Sequence, residues 1–380
     1  MGAKTGTDML VRAIPLMAPL RAFQEQEREI IEATTRVLRS GMWVYGSEGK
    51  AFEDEFARLM VFERAVAVNT GTDGLILSLQ AMDVGPGDEV ITPAYSFFAS
   101  ASVIAHRGAK PVFCDVDEHT FNISTDAVEA SITSKTVGIV AVHLYGLPSD
   151  VDKLRRIADK RGLFLLEDAC QAVGSSVGGR RVGTFGDLAA FSFYPTKNLA
   201  ACGEGGCVTG ANADALDVVS KLRVHGETQR YFHGLLGRNC RLDEIQSAIL
   251  RLRLGKLSEW TRRRQQIASI YTDAWADLPL RVPYVPDGFE HVYHLYVVQS
   301  RDRDRLREFL NQRKIASGVY YPVPLPTLEV FNDLGHQPGE FPVSERLCRE
   351  VLALPMFPQL SDEEVERVVE AVLEFHGHKA

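Results

Sequence analysis

Short apolar runs and helical stretches alternate along the chain from Ala65 to Thr209. Continuous apolar runs, such as Leu163–Leu166 and Leu188–Phe193, are typical of strands that are buried on both faces. Regular alternation of such strands with helices predicts a mainly parallel sheet that is covered by helices. The sequence therefore predicts an α/β fold whose loops, and whose functional site, lie along one edge of the sheet.

Helical periodicity continues on both sides of this region. It predicts an amphipathic helix from Phe23 to Arg39 and a long helical pattern from Arg241 to about Asp277, with a bend or break at Gly255. Beyond the long pattern the density of prolines rises, which indicates a second unit. We predict a large domain over residues 1–260, which includes the N-terminal helical segment, and a small C-terminal α+β domain over residues 261–380.

Local patterns predict three elements of the small domain. The sequence HVYHLYVVQS, residues 291–300, favours a strand, and Ser344 to Leu352 favours a helix. A last helix begins at Ser361, where Ser361 and Glu364 match a capping box.

Composition places the chain among ordinary globular proteins. Lys and Arg number 42 against 50 Asp and Glu, a net charge of −8, which gives no electrostatic support for nucleic-acid binding. The six cysteines include no CxxC pair, so we expect reduced, buried thiols rather than disulfides or a zinc site. The start of the chain has no apolar core of signal-peptide length, and no segment has the roughly 18 apolar residues of a membrane span. These features predict a cytoplasmic protein with no metal and no membrane partner.

An acid and a lysine follow two of the predicted strands. Polarity returns at Glu167 and Asp168 after the first, and Pro195 and Thr196 end the second just before Lys197. Open α/β sheets bind ligands at the carboxyl ends of their strands, so a carboxylate there is better placed for chemistry than for packing. Desolvation lowers the pKa of a lysine in a partly dry pocket and makes its amine a nucleophile and base. For an arbitrary pair of an aspartate and a lysine, the simpler interpretation would be that the acid caps a loop and the lysine is solvated.

A glycine-rich turn changes the balance between those interpretations. The predicted strand Ala65–Val68 is followed by NTGTDG, which contains Gly71 and Thr72, and then by a helical run from Leu75 to Met82. A strand, a glycine turn and a helix form the arrangement in which backbone N–H groups and the helix dipole bind phosphate. Such a turn by itself usually only redirects the chain. Pyridoxal 5′-phosphate (PLP) requires all three features, because a lysine forms an imine with its aldehyde and a carboxylate holds its pyridinium proton.

Large aromatic residues lie in two predicted loops. Trp43 and Tyr45 lie among glycines in GMWVYGSEG, where they either pack under the loop or close over a ligand. Phe97 and Phe98 precede a helix, where core packing and stacking on a planar cofactor are about equally expected.

The chain resembles the sugar aminotransferases of the DegT/DnrJ/EryC1/StrS family, which share fold type I of aspartate aminotransferase. The motifs that carry the resemblance are NTGTDGL, DEVITPAYSFFAS, PVFCDVDEHTFNI, VHLYG, EDACQAVGS, FSFYPTKNL, GEGG and GRNCRLDEIQSAIL, in the family's order. They extend over nearly the whole chain. The resemblance implies a PLP-dependent transferase of fold type I, with a large domain around a mainly parallel seven-stranded sheet and a small C-terminal α+β domain.

The resemblance also implies which residues bind the cofactor. Lys197 would form the Schiff base and carry the proton, and Asp168 would pair with the pyridine nitrogen. The other implied contacts are Gln171 at the phenolic oxygen, Phe97 on the ring face, and Gly71, Thr72 and Ser192 at the phosphate, joined by Asn239 of the partner subunit.

Two further implications concern the assembly and the substrate. A cofactor contact from a second subunit implies an obligate homodimer with shared active sites. The residues that would approach the sugar nucleotide are Trp43, Tyr45, Arg241, Tyr320 and Tyr321.

The implied reaction is transamination of a keto sugar nucleotide in a ping-pong sequence, with L-glutamate as the amino donor by analogy. The stretch RYFHGLLGRNCRLDEIQSAILRLRL is more similar to members that aminate C3 of the sugar than to those that aminate C4. Leu147 stands where many relatives have Gln, and Pro326 where many have His. Because both positions lie toward the substrate side, they leave the identity of the sugar open.

Two other functions fit the same fold. A PLP-dependent sugar dehydratase of this family carries histidine at the position of Lys197, so the lysine argues against that activity. A non-catalytic PLP-binding regulator would keep Asp168 but would have no need of Lys197 or a sugar pocket.

Overall fold

A computed structural model describes residues 12–377 of the chain. The sequence pattern that predicts no signal peptide falls partly on residues 1–11, outside the described residues. No helix within residues 12–377 combines the length and the apolar character needed to cross a bilayer.

Fourteen strands run through the described chain. They are β1 Val66–Val68, β2 Glu89–Pro93, β3 Lys110–Cys114, β4 Thr136–Val142, β5 Phe164–Asp168, β6 Ser176–Val177, β7 Arg180–Arg181, β8 Leu188–Ser192, β9 Gly206–Thr209, β10 Glu227–Gln229, β11 Phe232–His233, β12 Phe289–Glu290, β13 Tyr296–Gln299 and β14 Val351–Leu354.

Thirteen α-helices and three short 3-10 segments accompany these strands in residues 12–377. The helices are α1 Pro19–Glu25, α2 Glu27–Ser40, α3 Ser47–Met60, α4 Gly71–Ala81, α5 Ala99–His106, α6 Thr125–Ser131, α7 Val151–Arg161, α8 Ala213–Leu222, α9 Glu244–Leu254, α10 Leu257–Ala274, α11 Arg303–Gln312, α12 Pro342–Glu350 and α13 Asp362–Phe375. The 3-10 segments are Leu144–Gly146, Leu325–Thr327 and Glu329–Leu334.

The central sheet has seven strands in the order β1-β9-β8-β5-β4-β2-β3. Strand β9 is antiparallel to both of its neighbours, and the remaining neighbouring pairs are parallel. Both faces are buried, as continuous apolar strands require. Leu166 belongs to one apolar cluster, and Leu165, the preceding residue, belongs to another on the opposite face. The predicted α/β fold class with a mainly parallel, helix-covered sheet is confirmed.

The register of the sheet brings the carboxyl ends of β1, β5 and β8 to one edge. Gly206 of β9 pairs with Val68 at the end of β1 and with Ser192 at the end of β8. Asp168, the last residue of β5, pairs with Ala190 of β8. The candidate site is built on this edge.

A second apolar core surrounds the antiparallel pair β13–β14. Its largest buried side chains include Tyr271 of α10 and Trp275, the residue that follows this helix, whose rings stack with centroids 4.8 Å apart. Helix α10 runs through residue 260, and Ile14 from the N-terminal region belongs to this second core. The domain division at residue 260 stays a prediction.

Several local predictions differ from the structure. The predicted helix from Phe23 to Arg39 is two helices, α1 and α2, which meet at Gln26. Only Tyr296–Gln299 of residues 291–300 is a strand, and the predicted helix Ser344–Leu352 stops at Glu350 because the apolar run that follows pairs with β13 as β14. Other predictions hold, since α9 and α10 are separated near Gly255 and Ser361 forms the predicted capping box with Glu364.

The prediction of uniformly buried cysteines is wrong at two positions. All six thiols are free, but Cys202 is exposed and Cys170 is only partly buried. Cys170 lies in the candidate site, two residues beyond Asp168.

Candidate active site

The turn after β1 forms a cradle at the start of α4. Thr70 is the N-cap, and its Oγ1 accepts a hydrogen bond from the Asp73 N–H at 2.9 Å. The first N–H groups of α4 have no partner within the helix, which suits an anion. A Cβ on Gly71 would come within 2.7 Å of Cys170 Sγ and 2.8 Å of Ser192 Cβ, so a glycine allows these segments to meet. The structure therefore brings Gly71 and Ser192 together, with Thr72 exposed beside them.

Asp168 is a buried acid at the end of β5, with 6% of its surface exposed. Its Oδ1 accepts a hydrogen bond from the Cys170 N–H at 3.2 Å. Burial raises the pKa of the Asp168 carboxyl, and the charges of Lys197 and His143 oppose that rise. Within residues 12–377 no cationic side chain comes within 4.0 Å of this carboxylate, which leaves it available to a positively charged group.

Glu167 faces away from Asp168 because successive side chains of a strand point to opposite faces. It is fully buried, and its carboxylate accepts hydrogen bonds from the N–H groups of Gly183, Phe185 and Gly186 at 2.8, 2.9 and 2.6 Å. His143 Nε2 lies 3.1 Å from the same carboxylate. Of the two acids at this strand end, only Asp168 belongs to the candidate site.

Lys197 lies on the turn that follows β8. Its N–H donates to the Tyr194 carbonyl at 2.8 Å, and the next residue, Asn198, donates from Nδ2 to the Val292 carbonyl at 2.8 Å. These bonds fix the turn between the sheet and the segment before β13. Burial lowers the pKa of the Lys197 amine, while the nearby Cys170 and Asp168 act in the opposite direction. The amine is therefore biased toward its neutral, nucleophilic form.

Gln171 connects the sheet edge to the loop that contains Tyr320 and Tyr321. Its Oε1 accepts a hydrogen bond from the Tyr145 N–H at 2.7 Å, and its Nε2 donates to the Tyr321 hydroxyl at 3.3 Å. Phe97 is 53% exposed, and its ring centroid lies 6.0 Å from that of Tyr321. Gln171, Tyr321 and Phe97 thus form one side of the candidate site.

Sequence reasoning did not assign a role to the tyrosines that hold this loop. Tyr95 and Tyr145 are buried, and both hydroxyls contact the Tyr320 carbonyl. The Tyr95 hydroxyl also accepts a hydrogen bond from the Tyr321 N–H at 3.0 Å. Both tyrosines lie within the motifs DEVITPAYSFFAS and VHLYG, but nothing local in those motifs indicates a contact with residues 320–321.

The remaining expected residues, three for the substrate and Asn239 for the phosphate of the partner's cofactor, lie apart from Lys197. The Arg241 guanidinium lies 4.9 Å from the centre of the Tyr45 ring, and both residues line a cavity of about 780 Å³ with Arg223. Trp43 is 57% exposed and donates from Nε1 to the Leu38 carbonyl at 3.2 Å. Asn239 is exposed, and its backbone pairs with Val224. Within residues 12–377 no side-chain hydrogen bond or ring contact joins these residues to Lys197.

The residues of the candidate site fit PLP. The cradle at Gly71 is closed to a Cβ, the buried Asp168 has no cationic partner within 4.0 Å in the described chain, and Lys197 is close enough to influence its titration. This donor set offers an anion cradle, an acid for a ring nitrogen and an amine for an aldehyde.

Comparison with known proteins agrees with this chemistry. A sequence profile of the DegT/DnrJ/EryC1/StrS aminotransferase family matches residues 24–373. The chain belongs to this family.

Curated relatives and solved structures cover the same length. The pleiotropic regulatory protein of Geobacillus stearothermophilus is 41% identical over 371 residues, which span 97% of this chain and 100% of the relative. The UDP-N-acetyl-3-dehydro-alpha-D-glucosamine 3-aminotransferase of Acidithiobacillus ferrooxidans is 40% identical over 362 residues, 95% of this chain and 97% of the relative. The crystal structure of Streptomyces venezuelae DesV matches with a TM-score of 0.94 at 39% identity and covers 97% of this chain and 100% of DesV.

Membership of the DegT/DnrJ/EryC1/StrS family confirms the recognised resemblance, the fold class and the expectation of an aminotransferase-type enzyme.

Proposed function

We propose that this protein is a PLP-dependent aminotransferase that converts a keto sugar nucleotide into an amino sugar nucleotide. A 3-keto substrate is favoured over a 4-keto one, and L-glutamate is the amino donor. The observation that carries the proposal is the buried Asp168 carboxylate, without a cationic partner in the described chain, on the same sheet edge as the desolvated Lys197 and the Gly71 cradle. Solved structures of relatives at 28% identity include PLP and PMP forms, which supports the cofactor.

Each residue around the cofactor would have a role that follows from its chemistry. PLP supplies an electron sink that weakens the Cα–H bond of an attached amino acid. Lys197 would hold the cofactor through its Nζ and, once released, would carry the proton taken from the donor Cα. Asp168 would keep the ring nitrogen protonated. Gln171 would orient the ring through its phenolic oxygen, and Phe97 would cover the ring face.

The phosphate contacts and the substrate contacts complete the proposal. Gly71, Thr72 and Ser192 would hold the phosphate at the start of α4, joined by Asn239 of the partner subunit. The sugar nucleotide would be approached by Trp43, Tyr45, Arg241, Tyr320 and Tyr321.

A 3-keto substrate is supported by relatives rather than by the pocket. One relative at 40% identity is named a 3-aminotransferase of a UDP-N-acetyl-3-dehydro sugar. Leu147 and Pro326, where this chain departs from many relatives, are both buried. Their burial gives no direct argument for either keto position.

The decisive experiment separates the two half-reactions. Protein loaded with PLP is mixed with L-glutamate, and the visible absorption band of the cofactor should disappear and 2-oxoglutarate should form. Addition of 3-keto and 4-keto sugar nucleotides, one at a time, should restore the band, fastest with a 3-keto compound. Lys197→Ala should show neither step. Absence of 2-oxoglutarate, or a restored band with 4-keto sugars alone, would contradict the proposed donor or the proposed keto position.

Shared sites in a homodimer can be tested by complementation. The hairpin β10–β11 exposes Tyr231 at 77% and Phe232 at 65%, and the following Leu236 at 90%, which suits burial against a second subunit. Mixed dimers of Lys197→Ala and Asn239→Ala should regain up to about a quarter of the parent activity, because random pairing makes about half of the dimers heterodimers and one of the two sites in each heterodimer is intact. No regained activity in confirmed heterodimers would argue that each site belongs to one chain.

A regulatory function is the second candidate, because one relative at 41% identity is named a pleiotropic regulatory protein. A regulator without catalysis would bind PLP but leave the absorption band unchanged with glutamate. The same experiment therefore separates the two candidates. A dehydratase is disfavoured by Lys197.

A further inference from the structure

Two arginines are buried beneath the Lys197 turn without an acidic partner. Arg253 of α9 is 3% exposed, and Arg264 of α10 is 5% exposed. Among residues 12–377 they are the only buried arginines, and neither has a carboxylate oxygen within 4.0 Å. Each guanidinium instead donates from Nη1 to two backbone carbonyls: Arg253 to Ala200 and Ala201 at 2.7 and 3.2 Å, and Arg264 to Tyr293 and Met356 at 3.1 and 2.8 Å.

Both arginines line one small cavity. Its volume is about 40 Å³, and Lys197, Asn198 and Trp260 line it as well. The Nε atoms of Arg253 and Arg264 are buried and lack a hydrogen-bond partner in the described chain. A space of this size accommodates about two waters or one monatomic anion.

The charge balance favours an anion in this space. A buried cation is costly unless an opposite charge accompanies it, and backbone carbonyls compensate only part of that cost. Other arginines with an unpaired Nε, such as Arg155 and Arg223, have carboxylate partners at 2.8 and 2.5 Å. Glu25, an acid whose charge acts on Arg253, lies outside the cavity lining and accepts from Gln359 Nε2 at 2.7 Å and Trp260 Nε1 at 3.4 Å.

We propose that this cavity binds a single chloride-sized monovalent anion between the guanidinium groups of Arg253 and Arg264. The anion neutralises part of the buried positive charge and ties α9 and α10 to the turn that carries Lys197. Polyatomic anions as large as gluconate are excluded by the volume. Lys197 also lines this cavity, but neither arginine belongs to the proposed cofactor or substrate contacts, so loss of the anion and loss of transamination can be distinguished.

Thermal unfolding of the full-length protein tests the proposal in solution. At constant ionic strength and pH, replacement of sodium gluconate by sodium chloride or sodium bromide should raise Tm by roughly 2 °C, since a ligand of the folded state alone stabilises it. Arg253→Met, which keeps the chain length and removes the charge, should abolish the difference between the salts. Arg155→Met, in which the lost arginine pairs with acids elsewhere, should retain it. An equal chloride response in the parent and in Arg253→Met would overturn the proposal.

A crystal of the parent protein grown in sodium bromide gives an independent test, and it does not require the variants to fold. An anomalous peak between the two guanidinium groups is expected. Water alone in the cavity would overturn the proposal, and so would a peak without any chloride response in solution, which would show an adventitious ion only.

Discussion

The hydroxyl oxygens of Tyr95 and Tyr145 lie 2.7 Å apart, and both contact the carbonyl oxygen of Tyr320. Each hydroxyl has one proton, so at most two of these three contacts are hydrogen bonds at any moment. The Tyr95 hydroxyl also accepts a hydrogen bond from the Tyr321 N–H. Tyr95 therefore satisfies both a donor and an acceptor of the 320–321 loop, whereas Tyr145 satisfies only the acceptor.

This asymmetry predicts different costs for two similar substitutions. Tyr95→Phe leaves the Tyr321 N–H without its acceptor and should lower the free energy of unfolding by about 1–3 kcal/mol. Tyr145→Phe leaves the Tyr320 carbonyl with Tyr95 as donor and should cost less than about 1 kcal/mol. Urea denaturation of both variants measures the difference. Equal losses in the free energy of unfolding would contradict the assignment of the Tyr321 N–H to Tyr95 alone.

Asp168→Asn should separate stability from activity. Because burial raises the pKa of the Asp168 carboxyl, the ionised side chain destabilises the cofactor-free protein at neutral pH, and Asn should make that protein more stable. Loss of the charge opposite the ring nitrogen should lower kcat by at least about 100-fold. Thermal unfolding without PLP and steady-state kinetics with PLP provide the two measurements. A variant with lower cofactor-free stability, or with full activity, would be inconsistent with this role.

Gly71→Ala should weaken binding of the cofactor phosphate. The new Cβ would meet Cys170 Sγ at 2.7 Å and Ser192 Cβ at 2.8 Å, so the cradle would have to open. We expect the Kd for PLP to rise at least about 10-fold, equivalent to about 1.4 kcal/mol. Gly85→Ala is the matched control, because nothing lies within 4 Å of its added Cβ. Similar Kd values for the two variants would show that the cradle tolerates a side chain.

Two buried histidines predict loss of stability in acid. Burial lowers the pKa of His291 to about 3 and that of His294 well below its usual value, to which the charges of Lys197 and Arg264 also contribute. Below about pH 6.5 the unfolded chain takes up protons that the folded protein does not, so stability present above that pH is lost as the pH falls. The expected loss from His291 is about 2 kcal/mol at pH 5, and His294 adds a loss of the same sign.

His291→Asn isolates one of these contributions. Its side-chain oxygen can replace His291 Nδ1 as acceptor of the Tyr293 N–H, now at 2.9 Å, without titrating. Urea denaturation at pH 7.5 and pH 5 should show a smaller acid loss than in the parent, whereas the exposed His106→Asn should show the parent's loss. An unchanged loss in His291→Asn would assign the acid lability to other groups.

Local signals account for what could be predicted of the sheet and the candidate site. The apolar runs that end at Asp168 and near Lys197 identify β5 and β8, and the glycine turn at Gly71 identifies the start of α4. Such signals depend only on neighbouring residues, so they can be identified from the sequence without the fold. The same signals predicted one helix where Gln26 separates two. They also extended the helix that ends at Glu350 into β14, because β14 is stabilised by pairing with β13, which is distant in sequence.

The sequence by itself determined the class of fold, the family, and the acid, amine and glycine turn that suit PLP. Tertiary structure alone decided that Glu167 turns to the loop before β8 while Asp168 faces the site, that Tyr95 holds residues 320–321, and that Arg253 and Arg264 are buried around one cavity. The physical reason is chain separation. Tyr95 and Tyr320 are 225 positions apart, and their contact, like the burial of a charge, acquires its energy only from the packing of segments that no local pattern records.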